Sequence, residues 1–218
     1  MNFKIKYIIP GALILLSQSN IALTHEKSNF NGFNVSIGAS NTNLESSNNV
    51  SNVDLSGNYI SSTDYSFNQD NQIINLVLSY THSISKNFNA SYNFEFYPGK
   101  IDASFSGDGP ATQTDEITNL IRSSLQIGYL INPELELGIK VGFAKADQKN
   151  IETTTKELSL DGKSLGIVAK KKIKDNLFLN LEYSQISFDK SPINNPGGLD
   201  DNEVDLELFN FSISYKLK

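Results

Sequence analysis

The residues able to do chemistry here are few and unusually placed. The chain has two histidines and no cysteine. Acyl transfer needs a nucleophile, a base and a third group that orients the base, all in contact. His82 has Ser83 beside it, but neighbours on a strand point to opposite faces. His25 lies close to the N-terminus, away from any such set. Without cysteine there is neither a disulfide framework nor a thiolate metal site. Ser106-Gly107-Asp108-Gly109 and the acidic cluster Asp200, Asp201, Glu203 and Asp205 offer oxygen atoms. Neither reaches the ordered ligand set of a calcium loop. No catalytic residue, cofactor or metal site is expected. What remains is a set of charges at one parity of alternating segments: Glu95, Arg122, Glu136, Lys140, Lys170 and Glu182, with Lys172 and Lys216.

The segments that carry these charges alternate with period 2, as strands do. Ser123–Phe143 is the clearest. Leu125, Ile127, Tyr129 and Ile131 alternate with Ser124, Gln126 and Gly128. After Asn132-Pro133-Glu134, Leu135, Leu137, Ile139, Val141 and Phe143 alternate with Glu136, Gly138, Lys140 and Gly142. The same pattern appears at 33–40, 73–84, 88–97, 163–173, 177–188 and 204–218. Eight strands result, the fourth starting near Ile117. Three connections are short, at 85–87, 132–134 and 174–176. Four are long and rich in Asn, Ser, Asp or Gly: 41–72, 100–116, 147–162 and 189–203. Tyr59, Tyr65 and Phe67 in the first of them are placed to extend the flanking strands.

Which face is buried follows from size. An eight-stranded barrel has an interior just wide enough to be filled by side chains. The Phe, Tyr, Leu and Ile face would overfill it, whereas Gly, Ser, Asn and Gln fit. The expectation is therefore an all-β, eight-stranded antiparallel up-and-down transmembrane β-barrel, apolar outside and polar inside, with short turns at one end and long loops at the other. Phe33, Phe88, Tyr129 and Tyr215 form one aromatic level near the short turns. Phe96, Phe143, Tyr183 and Phe209 form a second level near the long loops. Inside, Glu95 faces Arg122 at similar height, Lys170 faces Glu182, and Lys140 is long enough to reach across. A polar plug is favoured over a gated pore because the lumen is narrow.

Residues 1–22 read as a secretory signal: Lys4 and Lys6, the apolar stretch Tyr7–Leu16, then small residues at Ser17, Ser19 and Ala22. The remaining 23–218 form one barrel domain. The net charge of −6 disfavours nucleic acid.

The turns Lys86-Asn87, Asn132-Pro133-Glu134 and Lys174-Asp175-Asn176, with the alternation after each, resemble the OmpA/OmpX-type barrels of Gram-negative outer membranes. The ending Phe211-Ser-Ile-Ser-Tyr215-Lys-Leu217-Lys218 is similar to the C-terminal strand signal read by the barrel-insertion machinery. It departs from that signal in having Leu217 where an aromatic is usual and Lys218 after it. The resemblance implies an outer-membrane location, contact with membrane lipid and lipopolysaccharide, and loops free for external partners. It leaves open a structural or surface-exposed barrel, a small pore, an adhesin and, last, a lipid A-modifying enzyme.

Overall fold

The computed structural model describes residues 28–53, 59–106, 112–150, 157–195 and 198–217. Among the described residues nine strands follow one another: β1 Gly32–Val53, β2 Tyr59–Ser83, β3 Phe88–Tyr97, β4 Ile101–Ser106, β5 Thr112–Asn132, β6 Leu135–Asn150, β7 Glu157–Lys174, β8 Leu177–Asn195 and β9 Gly198–Lys216. Every pairing is between antiparallel strands, in the order β3-β2-β1-β9-β8-β7-β6-β5-β4, and β3 also pairs with β5. That last pairing closes the sheet into a barrel. A closed sheet leaves no unpaired edge for lipid to meet.

Nine strands make eight staves. β3 lies against Leu120–Tyr129 of β5, and β4 lies against Thr112–Ile117 of the same strand. They are one stave interrupted at Pro98-Gly99-Lys100. Proline cannot donate to the ladder, so the stave breaks there and resumes at Ile101. Asn71 of β2 sews the gap. Its Nδ2 donates to Asp102 O at 2.9 Å and its Oδ1 accepts from Asp102 N at 3.2 Å.

The long segments differ from the expectation. Residues 41–72 and 189–203 are not loops over most of their length. β1 and β2 stay paired up to Val53↔Tyr59, and β8 and β9 up to Asn195↔Gly198. Residues 101–106 and 112–116 are likewise strand. Asn and Ser are poor strand formers by themselves, but propensity yields to context. Here the register set in the apolar band continues outward and supplies most residues with a ladder partner.

The burial pattern inverts along the barrel. Near the short turns, Val35, Ile37, Leu76, Leu78, Ile127, Ile139, Ile167 and Ile213 lie on the outside, and Ser, Asn and the charges lie inside. Beyond that band the apolar side chains turn inward. Leu44, Ile73, Tyr97, Ile101, Ile117, Leu120, Ala144, Ala146, Leu160, Ile186, Phe188, Val204, Leu206 and Leu208 form one buried cluster. The crossover is visible in β9, where Leu208 is buried and Phe209 is half exposed. A wall in lipid must be apolar outside, and a wall in water must be apolar inside. The change of phase therefore marks where the barrel leaves the bilayer. A polar lumen was expected throughout; it is polar only within the membrane band, and there Val168 and the pair Phe30 and Phe178 are apolar exceptions.

Close strand approach requires glycine at Gly38 in β1. A Cβ there would lie 2.2 Å from Phe211 O and 2.5 Å from Ser212 Cβ. We expect Gly38→Val to force β1 from β9 at a cost of about 1–3 kcal/mol, the range for overpacking. The urea midpoint for loss of the fast-migrating folded band on unheated gels measures it.

Candidate functional site: a closed lumen

Within the membrane band the lumen is crossed by a ring of four charged side chains from four strands. Glu95 is on β3, Arg122 on β5, Lys140 on β6 and Glu182 on β8. Arg122 Nη2 bonds both Glu95 Oε2 and Glu182 Oε1. Lys140 Nζ meets the other oxygen of each carboxylate, Glu95 Oε1 at 2.7 Å and Glu182 Oε2 at 2.5 Å. Each cation therefore touches both anions and each anion both cations. The ring is electrically neutral, and all four side chains are buried.

Neutral groups take the remaining hydrogen-bonding positions. Arg122 Nη1 donates to Ser184 Oγ at 2.6 Å, and Arg122 Nε to Glu95 Oε2 at 3.1 Å. Ser124 Oγ donates to Glu95 Oε1 at 3.2 Å. Tyr97 OH donates to Glu95 Oε2 at 2.9 Å and accepts from Asn210 Nδ2 at 3.3 Å. Pairing and hydrogen bonding of this kind offset the cost of burying these four charges.

Two positional features make the ring reachable. Lys140 and Glu182 sit on strands separated by β7, and the β7 residue opposite Lys140 is Gly166. With no side chain there, the lysine passes over β7. A Cβ on Gly166 would lie 2.7 Å from Ser184 Cβ. In β5, Asn119 has φ 54, and the β5–β6 register shifts between Thr118 and Ile121. That bulge puts both Ile117 and Leu120 inward, three apart, so the wall stays apolar inside above the ring, while Arg122 keeps the inward parity of Ser124 and Gln126.

Lys170 and Glu182 do not pair. Counting from the turn pair Lys174↔Leu177 leads to Ala169 opposite Glu182, and the one-residue register shift between Lys172 and Lys174 makes it Val168, with Lys170 opposite Asn180. Lys170 instead places its ammonium 5.0 Å from the ring centre of Phe178 and 5.6 Å from that of Phe30. Glu136 takes hydrogen bonds from Asn89 Nδ2 at 2.5 Å and Gln126 Nε2 at 2.8 Å. It lies opposite Lys170 in the ladder.

Two further residues complete the closure, and parity reaches only the first of them. Tyr97 continues the inward series 89, 91, 93, 95. Phe30 precedes β1 and is fully buried in the short-turn mouth, with its ring 5.2 Å from that of Phe178. Gly32, at φ 121, gives the turn between Phe30 and β1 a backbone conformation that other residues rarely adopt. No sequence period marks Phe30, because it lies outside any strand.

His82 is exposed on the outer wall. His25, residues 1–22 and Gly107-Asp108-Gly109-Pro110 lie outside the described residues, as do the side chains of Asp200, Asp201 and Glu203. Among the described residues, no group of three or more His, Cys, Asp or Glu is placed to hold a metal ion. Of the expected aromatic levels, Phe33, Phe88, Tyr129 and Tyr215 near the short turns and Phe143, Tyr183 and Phe209 further up are exposed, while Phe96 is half-buried.

A closed antiparallel barrel with an apolar outer band and a charged lumen defines a transmembrane β-barrel. The chain belongs to the outer membrane protein beta-barrel domain family, whose match spans residues 11–216. It is thus a Gram-negative outer-membrane protein, with its apolar band in contact with membrane lipid. No curated protein matches the chain. Solved structures that resemble it include Ail, the attachment invasion locus protein of Yersinia pestis, at 12% identity and TM-score 0.43, covering 85% of this chain and 99% of that one. Neisserial surface protein A is similar at 9% identity and TM-score 0.46, covering 88% and 100%. OprG from Pseudomonas aeruginosa is similar at 11% identity and TM-score 0.46, covering 86% and 97%.

Proposed function

We propose that this protein is a non-catalytic, surface-exposed outer-membrane barrel. Its lumen is a structural plug, and its working part is the extension beyond the lipid. The observation that carries this reading is the threefold blockage of the lumen. Phe30 and Phe178 fill the short-turn mouth, the neutral charge ring crosses the middle, and the apolar cluster around Leu206 and Leu208 fills the far end. A conducting pore needs a continuous wet path, and each of these layers interrupts one.

The extension supplies a rigid platform for external contacts, since binding usually resides on loops held by a fixed scaffold. Lipopolysaccharide is the lipid that its outer aromatic level would meet. The last strand, running to Lys216 with Leu217 beyond it, is the segment the barrel-insertion machinery would read. The lipid A-modifying alternative lacks support in the wall, where His82 points outward, away from the buried Ser79 and Thr81.

Planar-bilayer recording tests the plug. We expect no stable conductance steps from the intact protein. None are expected from Glu95→Ala either, because the two other layers remain. Regular steps from the intact protein would establish the pore. Trimming the β1–β2 hairpin back to Thr42 and Asn71 should leave the folded band intact and abolish external contacts. A lipid A mass spectrum that changes on deletion of the gene would restore the enzyme.

A further inference from the structure

We propose that the short-turn mouth is a latent anion-binding vestibule facing the periplasm, and that the chain's own residues Ser28–Asn31 are the stopper in it. The stopper is held by groups from around the rim. Asn29 Nδ2 donates to Pro133 O at 2.7 Å, Ser28 N to Ser83 Oγ at 3.2 Å, and Ser83 N to Asn31 Oδ1 at 3.0 Å. Two lysines converge on a single residue. Lys216 Nζ donates to Asn29 O at 2.9 Å and Lys172 Nζ to Asn29 Oδ1 at 3.3 Å. A neutral residue thus offers two oxygens to two cations, where a carboxylate, phosphate or sulfonate would offer charged ones.

Behind the stopper lies a polar cavity of about 40 Å³, bounded by Ser36, Thr81, Lys140, Lys170, Glu182 and Ser214 among others. It exceeds the volume one water needs, roughly 10–15 Å³. The ammonium of Lys170 lines it. That group is buried, has two aromatic rings beside it, and makes no ion pair or hydrogen bond among the described residues. The charges facing this space do not balance. Glu95, Glu182, Arg122 and Lys140 neutralise one another in the ring. Below them stand Lys170, Lys172 and Lys216 against Glu136, whose oxygens are held by Asn89 and Gln126. Asp175 lies 3.4 Å from Lys172 but is fully exposed at the rim. An excess of positive charge in a low-dielectric recess favours anions of small size.

The stopper is removable because none of its bonds belongs to a strand ladder. Its apolar anchor among the described residues is the ring of Phe30, tilted at 40° against that of Phe178.

Thiol labelling of the full chain with Ser214→Cys tests this, using a sulfonate-bearing and a trimethylammonium-bearing methanethiosulfonate of similar size. With the stopper in place, neither reagent should react within the time that labels an exposed cysteine. With Phe30→Ala added, the sulfonate reagent should react at least tenfold faster than the cationic one, and Lys170→Gln should erase that preference. Asn29→Ala provides a second opening that keeps the ring of Phe30. The fast-migrating band on unheated gels certifies that each variant is folded. Rapid labelling of the intact protein would remove the stopper. Labelling of both opened variants without regard to reagent charge, or of neither, would remove the anion site. None of these outcomes depends on whether the extension binds an external partner.

Discussion

Arg122→Ala should lower the unfolding free energy by about 3–5 kcal/mol, the range for removing one partner of a buried ion pair. Arg122 bonds both carboxylates of the ring. Its loss leaves Glu95 and Glu182 facing each other across the lumen with Lys140 alone to serve them. The desolvation of the second anion then has no counterpart. Adding Glu182→Gln should recover a large part of the loss, because the remaining Lys140–Glu95 pair is neutral. The recovery separates charge imbalance from a mere cavity, since removing the second side-chain charge fills no space. Urea unfolding of protein reconstituted in vesicles, followed by the gel-mobility difference between folded and unfolded forms, reads both effects. A loss under 1 kcal/mol for the single variant would mean that water replaces the guanidinium and that the ring does not brace the barrel. The ring contributes chiefly by being complete: replacement of all four charges by apolar residues of similar volume is often neutral or stabilising at such sites.

The second large effect is expected from Ile139→Arg, at about 2–4 kcal/mol, the cost of a basic residue on the lipid face near the bilayer midplane. Ile139 is 61% exposed, yet it lies centrally in the apolar rows of β5, β6 and β7, opposite Ile127 and Ile167. In a soluble barrel the same substitution at so exposed a site would be nearly neutral. The sign and size of the effect therefore test the membrane assignment independently of the family match. Comparison of the variant in vesicles and in detergent sharpens it. Detergent lets the guanidinium reach water, so the penalty should shrink there. Equal stability of variant and parent in vesicles would place Ile139 outside the hydrocarbon and overturn the boundary set by the phase change at Leu208 and Phe209.

That phase change shows how legibility in the sequence depends on the solvent. The alternation of Phe209, Phe211, Ile213 and Tyr215 reads directly as one face. Val204, Leu206 and Leu208 alternate as well, at the opposite parity. A single rule of apolar outside and polar inside assigns the first set and leaves the second unplaced. Two solvents act on one continuous strand, and each orders the side chains in its own sense. Adjacent Leu208 and Phe209, or Ile73 and Ile74, are the local sign of the boundary, readable once the barrel is known to outlast the bilayer.

The sequence alone determined the strand set near the short turns, the three tight turns and the parity of every lumen charge, because the two-residue period of a strand and the width of an eight-stranded barrel leave little freedom. It also placed Glu95 level with Arg122. Tertiary structure decided which of the other charges meet. Lys170 and Glu182 share a parity, but the turn pair Lys174↔Leu177 and the register shift beside it bring Val168, not Lys170, opposite Glu182. The absence of a side chain at Gly166 then opens the route for Lys140. Tertiary structure also decided the fate of Phe30, whose position depends on Gly32 and on a mouth assembled from strands distant in the chain. A bulge, a missing side chain and a turn into a preformed opening are each local in energy. Their effect depends on what the rest of the barrel has brought alongside, and one strand's sequence does not carry that information.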